Sequence, residues 1–224
     1  MTNAEPLPDA FHTLPQRLLA ESVGAFFLVS SALLAPGGAT FAVVGLTLAA
    51  MVVAIGKVSG AQLNPAVTTA LVVARQFPLS EGLLYVVAQV LGALVAMLLD
   101  TTLLRGLNTP AGVIMPHPGY FSAEALGTFL LAFTVVRVVV GKVSDAASAL
   151  AIGLALAVGI AAAGAFSGGV LNPAIALSLM VGGILRFADG LPYLLAPLLG
   201  GVLGGLLARL LSTPGELRVP ASRR

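Results

Sequence analysis

The stretch SGAQLNPA at residues 59–66 returns as SGGVLNPA at residues 167–174. In both copies Asn-Pro-Ala opens a short apolar stretch, 64–74 and 172–181, which is about half of the ~20 residues that a helix needs to cross a membrane. Asn is a preferred helix N-cap, and Pro suits the first helical position. Non-helical backbone at membrane depth is tolerated only where it is buried or lines water. The two copies therefore predict two half-helices, each beginning from a re-entrant loop.

The remainder of the chain is too apolar to face water. Of its 224 residues 58% are hydrophobic and 9% charged, and the mean hydropathy is +1.04, whereas a soluble domain carries about 25% charged residues. Six further segments approach the length that crosses a bilayer; they are 17–35, 40–57, 82–104, 121–140, 147–165 and 190–211. The composition predicts an all-α membrane protein with six transmembrane helices and two re-entrant half-helices.

The chain also repeats itself outside these motifs. AESVGAFFLVSSALL at 20–34 resembles AEALGTFLLAFTVV at 123–136, and VAQVLGALVA at 87–96 resembles LAPLLGGVLG at 195–204. Each half holds three spans, and because three is odd the second half must run opposite to the first. Such an inverted repeat places its functional site near the bilayer midplane. We divide the chain into a tail (1–16), one membrane domain (17–211, with repeats of about 17–105 and 120–211) and a second tail (212–224).

The charged side chains between the spans predict the orientation. If the first tail is cytoplasmic, nine basic residues lie inside and two outside, which agrees with the positive-inside rule. The inside set is Arg17, Lys57, Arg75, Arg137, Lys142, Arg209, Arg218, Arg223 and Arg224, and the outside set is Arg105 and Arg186. Both tails are therefore expected in the cytoplasm. Because the net charge is only +2 and the basic residues lie in loops and tails, we expect no nucleic-acid partner.

Aromatic residues suggest where the spans meet the membrane surface. Tyr85, Tyr120 and Tyr193 all fall near predicted helix starts. A tyrosine ring at the membrane–water interface is expected at such positions.

The paired motifs and the repeat resemble those of the aquaporin family, also called the major intrinsic proteins, over residues 17–211. The resemblance implies six tilted helices and two half-helices around a pore in each protomer, and a homotetramer in the lipid bilayer. It also implies passive conduction of water and small neutral permeants. In that family pattern Asn64 and Asn172 present side-chain N–H groups to the solute file. The residues that would hold the two helix starts together are Pro65, Ala66, Pro173 and Ala174.

The resemblance assigns two further groups of residues. Backbone carbonyls are expected to line two vestibules, with Gly60, Ala61, Gln62 and Leu63 in one and Gly168, Gly169, Val170 and Leu171 in the other. Glu21 and Glu124 occupy equivalent places in the first and fourth spans, where a lone charge costs about 2.5–3.5 kcal/mol or more. We expect them, with Gln89, to support the re-entrant loops. The alternative is a proton-coupled secondary transporter that uses Glu21 or Glu124.

Ile175 stands directly after the second motif, where the family usually has Arg. The family pattern places the other positions of the selectivity filter at Val44, Ile160 and Gly169. This set contains no charge, no aromatic ring and no side-chain hydrogen-bond donor. The constriction is then either wider, admitting glycerol, urea or neutral metalloid hydroxy acids, or it dewets and slows water. A poorly conducting structural member of the fold is therefore a second alternative. A third interpretation is a divergent water channel in which the backbone supplies the hydrogen-bond donor.

Enzymatic chemistry is not expected. The chain has no cysteine, which excludes thiol nucleophiles and thiolate metal sites. Its two histidines, His12 and His117, fall in a tail and an external loop, away from the spans. We expect no metal ion and no cofactor. The compact length favours the inner membrane of a bacterium.

Overall fold

The computed structural model describes residues 12–104 and 114–217. Regular structure within these residues is helical, and their β-bridge is an isolated parallel pair between Ile114 and Leu185. The eight α-helices of the described chain are α1 (Leu14–Leu34), α2 (Thr40–Ser59), α3 (Pro65–Val73), α4 (Leu79–Leu99), α5 (Tyr120–Val140), α6 (Asp145–Ser167), α7 (Pro173–Val181) and α8 (Phe187–Leu210). A 3-10 turn, Gly37–Ala39, precedes α2, and a π-helical turn, Asp100–Leu104, follows α4.

The lengths of these helices agree with the predicted pattern. Six helices of the described chain (α1, α2, α4, α5, α6 and α8) are long and apolar enough to cross a membrane. The other two, α3 and α7, have nine residues each and begin at the two Asn-Pro-Ala motifs. The chain therefore contains the six spans and two half-helices expected from its hydropathy.

The first helix begins earlier than predicted, at Leu14 instead of residue 17. The Thr13 backbone N–H donates to Gln16 Oε1 at 2.8 Å, and Pro15 lies in the first turn. These contacts are typical of a capped helix start. The residues that make them are polar, so a hydropathy pattern does not detect them. The last three residues of the predicted tail thus belong to α1. Four residues of the charge analysis lie outside the described residues, namely Arg105, Arg218, Arg223 and Arg224.

The two repeats interlock through their half-helices. α3 of the first repeat packs against α8, the third span of the second repeat, and α7 packs against α4, the third span of the first. At the α3–α8 contact, a Cβ added at Gly201 would lie 2.4 Å from the Ala66 carbonyl oxygen. Each half-helix is therefore buried by a span of the opposite repeat, which brings both Asn-Pro-Ala motifs to the centre of the bundle.

Glycines permit close helix contacts at matching places in the two repeats. A Cβ added at Gly92 on α4 would lie 2.0 Å from the Ser22 carbonyl oxygen on α1. A Cβ added at Gly200 on α8 would lie 2.2 Å from the Ala125 carbonyl oxygen on α5. Since small residues let membrane helices approach closely, these pairs determine how the first and third spans of each repeat pack.

Candidate pore

The two Asn-Pro-Ala motifs begin the half-helices in nearly identical ways. Asn64 (φ −153°) and Asn172 (φ −151°) are the N-caps of α3 and α7. Asn64 Oδ1 accepts the backbone N–H of Ala66 at 2.8 Å, and Asn172 Oδ1 accepts that of Ala174 at 2.9 Å. The side-chain oxygen of each asparagine is thereby engaged in capping its helix, and Pro65 and Pro173 occupy the first helical positions.

The asparagine amide nitrogens connect the motifs to each other. Asn64 Nδ2 donates to the Leu171 carbonyl at 2.9 Å, and Asn172 Nδ2 donates to the Leu63 carbonyl at 3.0 Å. An amide NH₂ group carries two hydrogens, so each asparagine retains one N–H beyond this contact. Both asparagines line the same cavity, where that remaining N–H can meet a solute.

The loops before the motifs have an unusual backbone. Three residues that are not glycine have positive φ: Ala61 at 46°, Leu63 at 55° and Leu171 at 51°. This left-handed region is costly for residues with a side chain. Gly168 and Gly169 also adopt it, at 81° and 67°. The chain holds this conformation because specific partners bind the backbone N–H groups of the loops.

Those partners are two buried glutamates, neither of which has exposed surface. Glu21 Oε1 accepts the backbone N–H of Gln62 at 3.0 Å, and its Oε2 accepts that of Leu63 at 2.7 Å. The second repeat copies this arrangement. Glu124 Oε1 accepts the backbone N–H of Val170 at 2.8 Å, and its Oε2 accepts that of Leu171 at 2.6 Å. Both carboxyl groups thus bind the loops.

Gln89 extends the network in the first repeat only. Its Nε2 donates to Glu21 Oε2 at 2.8 Å and to Thr68 Oγ1 at 3.0 Å. The matching position in the second repeat is Pro197, which has no such donor. Gln89 is fully buried and lies outside the cavity lining.

Serines and tyrosines complete each loop, and the sequence analysis did not assign them this role. Ser59 Oγ donates to Glu21 Oε1 at 2.6 Å, and Ser167 Oγ donates to Glu124 Oε1 at 2.5 Å. The Tyr85 and Tyr193 hydroxyls donate to the carbonyls of Ser59 and Ser167, both at 2.9 Å. The expectation that these tyrosines lie at the membrane interface was wrong, because both are 0% exposed. Their separation of 108 positions, the same as between the motifs, was the signal for a paired internal role.

Both asparagines line one cavity, which has a volume of about 220 Å³. Its walls follow the repeat: Leu28 on α1 matches Leu131 on α5, and Leu48 on α2 matches Leu156 on α6. The four positions that the family pattern assigns to the filter all line it, namely Val44, Ile160, Gly169 and Ile175. The polar side chains of this lining, as far as the chain is described, are Thr40, Gln62, Asn64 and Asn172. The walls are therefore aliphatic and uncharged around a few amides.

The residues expected to form the carbonyl vestibules divide into two groups. The first group lines the cavity and consists of Ala61, Gln62, Gly168, Gly169 and Val170. The second lies outside that lining: the Leu63 and Leu171 carbonyls accept the asparagine amides, and Gly60 ends α2 in a left-handed conformation. Within the described ranges no group of three His, Cys, Asp or Glu residues could hold a metal ion.

A comparison with known families agrees with this geometry. The family model described as Major intrinsic protein matches residues 12–146 and 119–222. The chain belongs to this family. As a major intrinsic protein it is an integral membrane channel for water and small solutes, and it is not an enzyme.

Relatives of this major intrinsic protein occur in plants and bacteria. It is 34% identical over 217 residues to "Aquaporin NIP3-1" of Oryza sativa subsp. japonica, and the matched region covers 88% of this chain and 68% of the relative. It is 32% identical over 217 residues to "Glycerol uptake facilitator protein-like 6" of Lactiplantibacillus plantarum, and the matched region covers 88% of this chain and 99% of the relative. The X-ray structure of the aquaglyceroporin from Plasmodium falciparum superposes with a TM-score of 0.68 at 24% identity, over 88% of this chain and 95% of that one. This last likeness confirms the predicted fold class.

Proposed function

We propose that this protein is a passive pore for water and small uncharged solutes, with glycerol, urea and neutral metalloid hydroxy acids as candidates. The observation that carries the proposal is the cavity lining, in which aliphatic walls surround the amides of Asn64 and Asn172. The filter in this proposal is Val44, Ile160, Gly169 and Ile175.

The asparagine pair explains how such a pore passes solutes but opposes cations. A water molecule at the pair accepts N–H groups from both asparagines, so its oxygen is occupied and cannot relay a proton. α3 and α7 both begin at the pair, and their positive dipole ends add a potential that repels cations and hydronium. The aliphatic walls keep each binding contact weak enough for the solute to leave.

Ile175 favours the wider specificity. An arginine there would bring a fixed charge and five N–H donors into the constriction, whereas the isoleucine brings only an aliphatic side chain into the cavity lining. The relatives include one named an aquaporin and one named a glycerol uptake facilitator, which is compatible with either kind of solute.

The contacts of the buried glutamates argue against a proton-coupled transporter. Glu21 and Glu124 lie outside the cavity lining. Their carboxyl oxygens already accept the loop N–H groups and the serine hydroxyls. A role in holding the loops accounts for both residues without proton transfer.

We also propose a homotetramer with both tails in the cytoplasm, in the inner membrane of a bacterium. The family resemblance supports the tetramer, and the distribution of basic residues supports the orientation. Chemical crosslinking in the membrane tests the tetramer, and accessibility of a single engineered cysteine in either tail tests the orientation.

The experiment that tests the pore is stopped-flow light scattering on proteoliposomes with water, glycerol and urea. It compares the wild type with Ile175→Arg and with Ile175→Leu, a control that keeps the volume and the apolar character of the side chain. We expect the wild type and Ile175→Leu to pass water and at least one of the two solutes, and Ile175→Arg to pass water alone.

Two results would contradict the proposal. A wild type that passes water alone would place the constriction elsewhere than Ile175. A folded wild type that passes none of the three would indicate the poorly conducting alternative, in which the apolar constriction is dewetted.

A further inference from the structure

Gln62 brings an unsatisfied amide into the pore. It lies in the loop before α3, lines the cavity and is 4% exposed. Its backbone N–H donates to Glu21, but its side-chain oxygen Oε1 is buried and accepts no hydrogen bond from the described residues. A buried amide oxygen without a donor costs free energy, and a rotation of the side chain that turns this oxygen toward the cavity lets a donor inside the cavity meet it.

This amide breaks the symmetry of the pore. The matching residue of the second repeat is Val170, which also lines the cavity and whose backbone N–H also donates to a buried glutamate. The two loops thus have the same backbone arrangement and different side chains. One vestibule presents an amide where the other presents an aliphatic group.

Gln62 also supplies a function that the asparagine pair lacks. The Oδ1 atoms of Asn64 and Asn172 are engaged by the N–H groups of their own helices, so these residues offer only donors to a solute. An amide side chain carries both a donor and an acceptor, and a half turn exchanges them. Gln62 can therefore accept from a solute as well as donate to it.

We infer that the Gln62 side chain is a solute-binding group that selects small neutral amides such as urea over water, an inference that rests on the proposed pore function. Urea presents a carbonyl oxygen and N–H groups side by side, so it can pair with a primary amide through two hydrogen bonds. In an aliphatic passage urea must shed more of its hydration shell than water does. It consequently depends more on such a contact.

The test measures the ratio of urea to water permeability in proteoliposomes for the wild type and two variants. Gln62→Met keeps the length of the side chain and removes both amide functions. Gln62→Val copies Val170, a residue that this loop geometry already accommodates, and it widens the vestibule. Gln76→Met is the matched control, since Gln76 lies after α3 and outside the cavity lining, so the same exchange of side chains leaves the pore wall unaltered. Purified variants are first checked for retained helix content by circular dichroism.

We expect both Gln62 variants to lower the urea-to-water ratio by about twofold to tenfold, the range expected for one neutral hydrogen bond, and Gln76→Met to leave it unchanged. Widening alone would raise urea flux, so a lower ratio in Gln62→Val cannot arise from pore size. A ratio that is unchanged in Gln62→Met, or raised in Gln62→Val, would overturn the role of Gln62 while leaving the pore function intact. A wild type that passes neither water nor urea would overturn both.

Discussion

Two leucines, Leu63 and Leu171, illustrate how single residues form this pore. Each has a left-handed backbone, which costs about 1–2 kcal/mol for a residue with a side chain. Each is fully buried, and the side chains lie where a Cβ on Gly24 or Gly127 would collide with them. The carbonyl of each leucine then accepts the asparagine of the opposite repeat. The strain is therefore stored at the place where the two repeats meet.

The glutamates that hold these leucines are expected to be essential for folding. In Glu21→Gln one acceptor oxygen becomes an NH₂ group that faces the N–H groups of the loop. Each buried N–H left without an acceptor costs about 1–3 kcal/mol. We therefore expect the free energy of unfolding to fall by about 2–5 kcal/mol and little folded protein to be recovered. The measurement is the thermal midpoint of the purified protein in detergent.

Glu81→Gln provides the control for this substitution. Glu81 pairs with Arg17 at 2.7 Å, and both side chains are partly exposed, so its loss is expected to cost at most about 1 kcal/mol. A Glu21→Gln protein as stable as Glu81→Gln, with flux that no longer responds to a proton gradient, would favour the transporter alternative instead.

The packing of the helices depends on the close contacts between the first and third spans of each repeat. Gly92→Ala places a methyl group 2.0 Å from the Ser22 carbonyl oxygen, so α1 and α4 must separate. Overpacking of this kind typically costs about 1–3 kcal/mol. We expect a lower thermal midpoint in detergent and a larger aggregated fraction in size-exclusion chromatography.

Gly164→Ala is the matched control on α6. No neighbouring atom lies within 4 Å of a Cβ added there, and alanine is favoured over glycine within a helix by about 0.5–1 kcal/mol. Its thermal midpoint is expected to equal or slightly exceed that of the wild type. If Gly92→Ala behaved like Gly164→Ala, the α1–α4 contact would not limit stability.

Two ion pairs connect elements at one end of the bundle. Lys57, in the last turn of α2, pairs with Asp145 at the start of α6, and the distance from its Nζ to Asp145 Oδ2 is 3.2 Å. Arg137 near the end of α5 pairs with Glu216, beyond α8, at 3.3 Å. Leu217 packs against the apolar core. The segment 213–217 is therefore docked onto the bundle.

This docking is expected to depend on pH. The pKa of Glu216 lies below its ordinary value of 4.5, first because its carboxylate accepts the backbone N–H of Thr213, then because of the Thr213 hydroxyl and the Arg137 guanidinium. Because the pKa is lower in the docked segment, the ionised carboxylate stabilises docking at pH values above the ordinary pKa. This stabilisation is lost as the pH falls through the lowered pKa. We expect the segment to be docked at pH 7 and to be released as the pH falls below 4.5 and through the lowered pKa of Glu216.

A spin label on Gly215→Cys measures this release, since the chain has no other cysteine. Label mobility should be low at pH 7 and rise as the solution is acidified. With Glu216→Gln added, the mobility should be high at both pH values. Equal mobility of the label at pH 7 and pH 3 in the otherwise wild-type chain would refute the docking role of Glu216.

The absence of cysteine also predicts how the intact channel responds to mercury. Mercuric ions block pores by binding thiolates, and this chain offers none. We expect mercuric chloride to leave water flux through the reconstituted protein unchanged. Rapid inhibition that an added thiol reverses would contradict this expectation.

Local patterns in the chain were enough to predict the helices and the motifs. A long apolar segment indicates a membrane span, and Asn followed by Pro indicates a capped helix start. The six spans and both half-helices could therefore be located from neighbouring residues alone. The repeat in turn predicted that Asn64 and Asn172 would meet. A charge within a span requires a partner, and the family resemblance assigned the two glutamates to the loops.

Contacts between distant residues could not be obtained in this way. Tyr85 and Tyr193 looked like interfacial rings because a helix start is also where a membrane interface lies, and only the packing of the loops shows them buried. The free amide oxygen of Gln62 and the engaged carbonyls of Leu63 and Leu171 depend on which groups face each other across the bundle. Hydropathy and capping are properties of adjacent residues, whereas hydrogen-bond partners are decided when the two repeats pack together.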